Sequence, residues 1–151
     1  KVLEQGTDEN GPIGHGWTYS AHPIGAAAGV ANLNLIDSMG LVDNAGKMGA
    51  YFNQAMKDAV GDHAHVGDVR GEGMLCAVEF VEDKADRAFY DPSKKIGPQV
   101  AAALLKRNVI ARAMPQGDII GFAPPLCLSK TEADTVIIAM TDSVKEVLGA
   151  A

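Results

Sequence analysis

A change of period does most to limit how this chain can fold. Met74, Cys76, Val78 and Phe80 alternate with Leu75, Ala77 and Glu79, the two-residue repeat of a strand, directly after Gly71-Glu72-Gly73. Upstream the repeat is helical. Over 42–60, Val42, Ala45, Met48, Gly49, Phe52, Met56, Ala59 and Val60 fall on one face, with Asp43, Asn44, Lys47, Asn53 and Asp58 on the other, and Gly61 ends the helix. The glycines ahead of the alternation predict a hairpin or a sharply kinked strand over 66–81, with a bend or bulge at 71–73. Gly71 and Gly73 lack the third glycine, preceding strand and following helix of a dinucleotide fingerprint, so they read as turn geometry rather than a phosphate loop.

The remaining segments limit the topology further. The spacing predicts a helix over 97–107 with Val100, Ala103 and Leu104 inward, then a short strand Val109-Ile110-Ala111-Arg112. A turn follows at 114–118, and Ile119-Ile120-Gly121-Phe122 pairs back as the next strand. Ser129-Lys130-Thr131-Glu132 is a capping box that opens a last helix, with an apolar stripe of Ala133, Val136, Ile137, Met140, Val144, Val147 and Leu148. Residues 82–95 are charged, hold Pro92 and Ser93, and read as a surface loop. Turn formers at Gly6, Asp8, Asn10, Gly11 and Pro12 make residues 1–14 a lead-in loop that could open on a helix end. From Pro23 to Met39 the chain is apolar on nearly every side, the mark of a buried helix, and Gly40 supplies its stop. Helix, helix, strand pair, helix, strand, strand, helix cannot supply the crossovers of a parallel sheet. The expected class is α+β, a small, largely antiparallel sheet covered by helices on one face.

Composition excludes some functions. At 151 residues and 47% hydrophobic, the chain is long enough to bury a core. Thirteen scattered basic residues against 19 acidic ones, a net charge of −6, argue against nucleic acid. No apolar run reaches the length of a membrane span and no signal sequence opens the chain, so the expectation is an acidic cytoplasmic protein away from membranes. The chain begins at Lys1 in mid-element, as the C-terminal piece of a larger protein would. Cys76 and Cys127 lie in apolar runs without metal or redox spacing and read as small core residues in a reducing compartment. His63 and His65, near Asp62 and Asp68, lack a convincing third and fourth ligand and read as a solvated loop rather than a metal site.

The residues richest in chemistry are Gly14-His15-Gly16-Trp17-Thr18-Tyr19-Ser20-Ala21-His22-Pro23. Proline suits the first helical turn, so this glycine-broken loop ends at a helix N-terminus, where Thr18 and Ser20 could help hold a phosphate or carboxylate. The same residues also fit plain structure, with Ser20 capping the helix and Trp17 filling a core.

This segment resembles the HG-aromatic-TYS-(G/A)-HP stretch of class III aminotransferases of the omega-amino acid:pyruvate type. Three further blocks continue the resemblance in the family's order: Val66-Gly67-Asp68-Val69-Arg70-Gly71-Glu72-Gly73-Met74, Val109-Ile110-Ala111-Arg112, and Gly117-Asp118-Ile119-Ile120-Gly121-Phe122-Ala123-Pro124-Pro125-Leu126. The resemblance implies a fold-type I enzyme dependent on pyridoxal phosphate. Residues 1–40 would be the end of its large cofactor-binding domain and a connecting helix, and 41–151 its C-terminal small domain. It implies a homodimer in which Thr18, with the backbone around Trp17, reaches the cofactor phosphate of the partner subunit. It also implies that Arg112 pairs with the substrate carboxylate, a task suited to a planar guanidinium. On residue types alone, Arg112 equally fits a surface ion pair with Asp118. The family's cofactor-bearing lysine lies upstream of the Thr18 motif, at a distance and in a context that Lys1 does not match. No catalytic residue is therefore expected in this chain, which alone would be inactive. The expected substrates are small amines or omega-amino acids and 2-oxo acids such as pyruvate. The alternative is a non-catalytic α+β ligand-binding or oligomerisation module of the same ancestry.

Overall fold

The computed structural model describes residues 1–12 and 16–150. The chain divides into two compact units, Lys1–Ser38 and Met39–Ala151.

The first unit holds α1 (Val2–Asn10) and α2 (Pro23–Ser38). Helix α1 corrects the expected lead-in loop, for Gly6, Asp8 and Asn10 all lie inside it. Local bonds offset their poor propensity: Gln5 Nε2 donates to Glu9 Oε1 at 2.9 Å, and Asn10 Nδ2 donates to the Gly6 carbonyl. Gly11, at φ +82, ends the helix. Gly14, the far end of that expected loop, lies outside the described residues, as does His15. Helix α2 forms where the apolar run predicts it, but none of its residues is buried, and Ile24, Val30 and Leu33 stay more than half exposed. Burial depends on what packs against a helix, and among the described residues the only other element of this unit is α1.

In the second unit Gly40 adopts a left-handed conformation, φ +59, and leads into α3 (Leu41–Val60). Strands β1 (Val66–Glu72) and β2 (Leu75–Phe80) form a hairpin, followed by α4 (Ile96–Lys106), β3 (Arg112–Ala113), β4 (Ile119–Phe122) and α5 (Lys130–Leu148). The sheet is antiparallel with strand order β1-β2-β4-β3, the α+β class expected. Cys76, Val78, Phe80, Ile120 and Phe122 point from one face into a core shared with Phe52 and Met56 of α3, Val100 and Leu104 of α4, and Met140 and Val144 of α5. The other face stays open: Leu75 is exposed, and Ala77, Glu79, Ile119 and Gly121 are half-buried.

The hairpin closes through two residues, Gly73 and Met74. Gly73 has φ +53 while Met74 does not enter the left-handed region, which suits a glycine at the first loop position. The glycines here serve packing as well. A Cβ on Gly49 of α3 would lie 2.2 Å from the Gly73 carbonyl oxygen, and one on Gly71 would lie 1.9 Å from Asn53 Oδ1. Asn53 Nδ2 donates to the carbonyls of both Gly49 and Gly73 at 3.0 Å, tying helix to loop. Its Oδ1 is buried without a hydrogen-bond donor, and exchanging the two amide atoms would set oxygen against both carbonyls. The ladder irregularity lies between Val66 and Asp68 rather than at 71–73.

Several expectations need correction. Val42 and Ala59 point outward, so the buried face of α3 is narrower than its apolar pattern. Val109-Ile110-Ala111 is not strand: Asn108 is left-handed at φ +60 and the Val109 amide bonds back to Leu104, so this segment is still completing the end of α4. Cys127 is exposed, whereas Cys76 is buried and its thiol is pushed up to about 11 by desolvation. His63 is no solvated loop residue. It is buried, its Nδ1 accepts from the His65 amide, and its Nε2 pairs with the Gly149 carbonyl.

The close approach of α3 to the hairpin predicts opposite outcomes for two glycines on one helix. Gly49→Ala should destabilise the chain by about 1–3 kcal/mol through overpacking. Gly46→Ala, where a Cβ meets nothing within 4 Å, should stabilise it by about 0.5–1 kcal/mol. Urea unfolding midpoints read both, and a shift of the same sign would contradict the packing argument.

Candidate functional site

Two regions carry the candidate residues, one in each unit. In the first, residues 18–21 turn the chain into α2. The Trp17 amide donates to Ser20 Oγ and the Ser20 amide donates to the Trp17 carbonyl, both at 2.9 Å. Ser20 therefore closes the turn behind it and does not cap the helix ahead. His22 is the cap: its Nδ1 accepts from the Gly25 amide at 3.3 Å, with Pro23 opening the first turn. Trp17 is 73% exposed, so it fills no core in this unit. Ala21 takes a left-handed φ of 58, an uncommon conformation for a residue with a Cβ.

Thr18 is also exposed, on this turn. Its hydroxyl makes no hydrogen bond among the described residues. One short hydroxyl beside turn amides is a donor set that fits one side of a phosphate. It leaves the remaining phosphate oxygens to donors from elsewhere.

The second region is the open face of the sheet. Strand register places Arg70 opposite Ala77, Ala77 opposite Gly121, and Gly121 opposite Arg112, one continuous rung across all four strands. A groove of about 450 Å³ runs along this rung, with Leu75, Met114 and Ile119 as further apolar walls. A larger cavity of about 820 Å³, lined by Phe80, Phe89, Tyr90 and Pro98, shares only Met114 with it and lacks a guanidinium. The groove is the better candidate because a planar guanidinium can hold both carboxylate oxygens at once, whereas the larger cavity offers only the Lys95 ammonium.

The two arginines differ in their partners. Arg70 Nη1 donates to Asp68 Oδ2 at 3.0 Å and to Glu79, and these hydrogen bonds, Glu79's the larger effect, raise its affinity for its proton. Arg112 enters no salt bridge among the described residues. The ion pair with Asp118 does not form: the Asp118 carboxylate accepts the Gly97 amide at 2.8 Å, anchoring the start of α4. Arg70, Ala77 and Gly121 were not singled out from sequence, because only the strand register brings them beside Arg112.

The family model for class-III aminotransferases matches residues 3–144. The chain belongs to that family. It is 54% identical, over 99% of its length, to a diaminobutyrate--2-oxoglutarate transaminase of Halomonas elongata, of which it covers 32%. It is 45% identical, over 98% of its length, to an uncharacterized aminotransferase of Sinorhizobium fredii, again covering 32%. Among solved structures, a transaminase from directed evolution by ancestral reconstruction superposes at TM-score 0.88 with 54% identity, over 97% of this chain and 32% of that one. A thermostable (S)-enantioselective omega-transaminase of Thermomicrobium roseum superposes at 0.85 with 36% identity, over 97% and 32%. The chain thus spans about a third of the length of these relatives.

Asp118 and Arg112 should separate in a stability measurement. Asp118→Ala should cost about 0.5–1.5 kcal/mol through the lost bond to Gly97. Arg112→Ala should stay within about 0.5 kcal/mol of wild type, as for an exposed residue without partners. Equal losses in urea unfolding would return Arg112 to a structural role.

Proposed function

We propose that this chain is the C-terminal part of a pyridoxal-phosphate-dependent aminotransferase that moves an amino group from an amine or omega-amino acid to a 2-oxo acid such as pyruvate. In this reading residues 1–40 complete the large cofactor-binding domain and 41–151 form the small domain. Family membership supports the reaction type. The relative named for diaminobutyrate and 2-oxoglutarate, and the solved omega-transaminase, support donors with an amine at a chain end. The observation that carries the assignment to a site is Arg112, a guanidinium without a carboxylate partner among the described residues, lining an otherwise largely apolar groove.

Each residue then has a stated task. Arg112 holds the substrate carboxylate through paired N–H donors, orienting the substrate without making or breaking bonds. Thr18, with the backbone around Trp17, donates to the cofactor phosphate across the interface of a homodimer. Pyridoxal phosphate, when bound, supplies the electron sink for the amino transfer. No residue of this chain is assigned as catalytic acid, base or nucleophile, and the cofactor-bearing lysine belongs to the segment upstream. The acidic balance and the exposed, unpaired Cys127 support a cytoplasmic setting.

Loss of a charge-assisted hydrogen-bonding partner costs about 1.5–3 kcal/mol, on the order of ten- to a hundredfold in affinity. Arg112→Ala in the full-length enzyme should weaken the half-reaction with pyruvate by that factor and leave the half-reaction with a simple amine nearly unchanged. Equal losses in both, or none in either, would overturn the carboxylate role.

The shared site makes a separate prediction. A Thr18→Ala variant and a variant without the upstream lysine, each inactive alone, should regain activity when mixed and allowed to exchange subunits. Absence of recovery after mass spectrometry has shown the hybrid dimer would place the whole site within one subunit.

A further inference from the structure

Arg112 lies on the shortest strand of the sheet and at its edge. β3 has two residues and pairs with β4 alone, so its own ladder holds it weakly. The strap that carries it, residues 110–117, is nonetheless fastened at both ends, and both fastenings lead to α4. At its start the Val109 amide donates to the Leu104 carbonyl at 3.0 Å, near the C-terminal end of the helix. At its finish the Asp118 carboxylate accepts the Gly97 amide at 2.8 Å, in the first turn of the same helix. Among the described residues no other hydrogen bond joins α4 to the sheet or to the turn between β3 and β4.

Strand alternation explains why Asp118 is available for this bond. Asp118, Ile120 and Phe122 share one parity, and Ile120 and Phe122 belong to the core on which α4 packs. Ile119 and Gly121 have the other parity and line the groove with Arg112. Carboxylate and guanidinium thus lie on opposite faces, and the acid leaves the cation without a salt-bridge partner among the described residues. The start of α4 suits a carboxylate: Lys95 enters the helix in the left-handed region, φ +48, with no side-chain cap, and the first-turn amides favour negative charge. Residue 118 is tied through its backbone as well, for the Phe80 amide donates to its carbonyl at 2.8 Å. It therefore joins β2, α4 and the turn that leads back to Arg112, a turn closed by the Met114 amide on the Ile119 carbonyl at 2.9 Å.

We propose that Asp118 is a positioning residue for Arg112: its bond to the Gly97 amide fastens the β3–β4 turn to α4 and so holds the Arg112 guanidinium at the groove. The proposal rests on the reading that Arg112 binds carboxylate, and it adds the residue that keeps Arg112 in place. Without the Asp118 carboxylate, β4 stays on β2 through their shared ladder, which runs from Glu79 and Ile119 to Cys76 and Phe122. The turn loses its tie to α4, and the slack falls on β3, the least-held part of the strap. Binding of a carboxylate at Arg112 then weakens while the rest of the sheet keeps its register.

The test uses the full-length enzyme with its cofactor, in half-reactions with pyruvate and with a simple primary amine, read alongside hydrogen exchange of the peptide spanning 109–119. Asp118→Ala should raise KM for pyruvate about three- to tenfold, part of the loss expected when Arg112 itself is removed, and leave kcat with pyruvate and both constants for the amine within about twofold. Exchange over 109–119 should quicken. Asp118→Asn, whose side-chain oxygen still accepts the Gly97 amide, should bring both readouts back to within about twofold of wild type. In an Arg112→Ala background, Asp118→Ala should add no further loss with pyruvate. Equal losses with both substrates, an Asn variant as impaired as the Ala variant, or an additive loss in the double variant would make Asp118 structural and overturn the proposal. So would a wild-type KM for pyruvate in Asp118→Ala when Arg112→Ala raises it. If Arg112→Ala itself leaves the pyruvate half-reaction untouched, the carboxylate reading fails and exchange decides the rest. Quickening that the Asn variant reverses keeps Asp118 as the anchor of the strap, and wild-type exchange in Asp118→Ala overturns that as well.

Discussion

Helix α3 lies against the β1–β2 loop at a distance that only glycine permits. With Gly49 facing the Gly73 carbonyl and Gly71 facing Asn53, backbone meets backbone, and the Asn53 amide bonds both sides of the contact. Because that contact lies at the hairpin turn, it helps to fix the register of β2 against β1. β2 is also the strand on which β4 pairs, and β4 in turn carries β3. The position of Arg112, at the far edge of the sheet, therefore depends on a glycine contact at the opposite side. The cost is a buried Asn53 oxygen without a donor, set against two well-made bonds from the same amide.

The sheet is used asymmetrically. One face is filled by Val78, Phe80, Ile120 and Phe122 against three helices, and these residues are rigid because they are packed. The other face carries Arg70, Glu79 and Arg112 beside the small residues Ala77 and Gly121, and stays open. The ties between helices are less demanding. Glu146 with Lys106 and Arg107, and Asp134 with Lys130 and Tyr51, are partly exposed and screened there, so they fasten helices without deciding the fold.

The candidate site was only partly legible in the sequence. Thr18 and Arg112 could be named because short motifs carry them. At the turn around Thr18 the capping alternative for Ser20 does not hold: Ser20 bonds backward to Trp17, and capping falls to His22, a residue type that rarely does it. The ion pair of Arg112 with Asp118 was plausible from spacing, but Asp118 is committed to the Gly97 amide, a bond between residues far apart in sequence. Arg70 and Gly121 lie in motif blocks, but their alignment with Arg112 had no signal, since neither periodicity nor composition says which residues face each other across four strands.

What the sequence determined by itself is local. The capping box at Ser129, the stop at Gly40, the hairpin glycines and the strand and helix periods each express a conformational preference within a few residues, and each appears in the structure. Tertiary structure decided what local preference cannot reach. It turned Cys127 outward and His63 inward, and stopped β3 short by letting Asn108 finish α4. It also aligned Arg70, Ala77, Gly121 and Arg112 on one rung. The physical reason is common to all of these: burial and register are properties of pairs of distant segments, and a pair has no signature in either member alone.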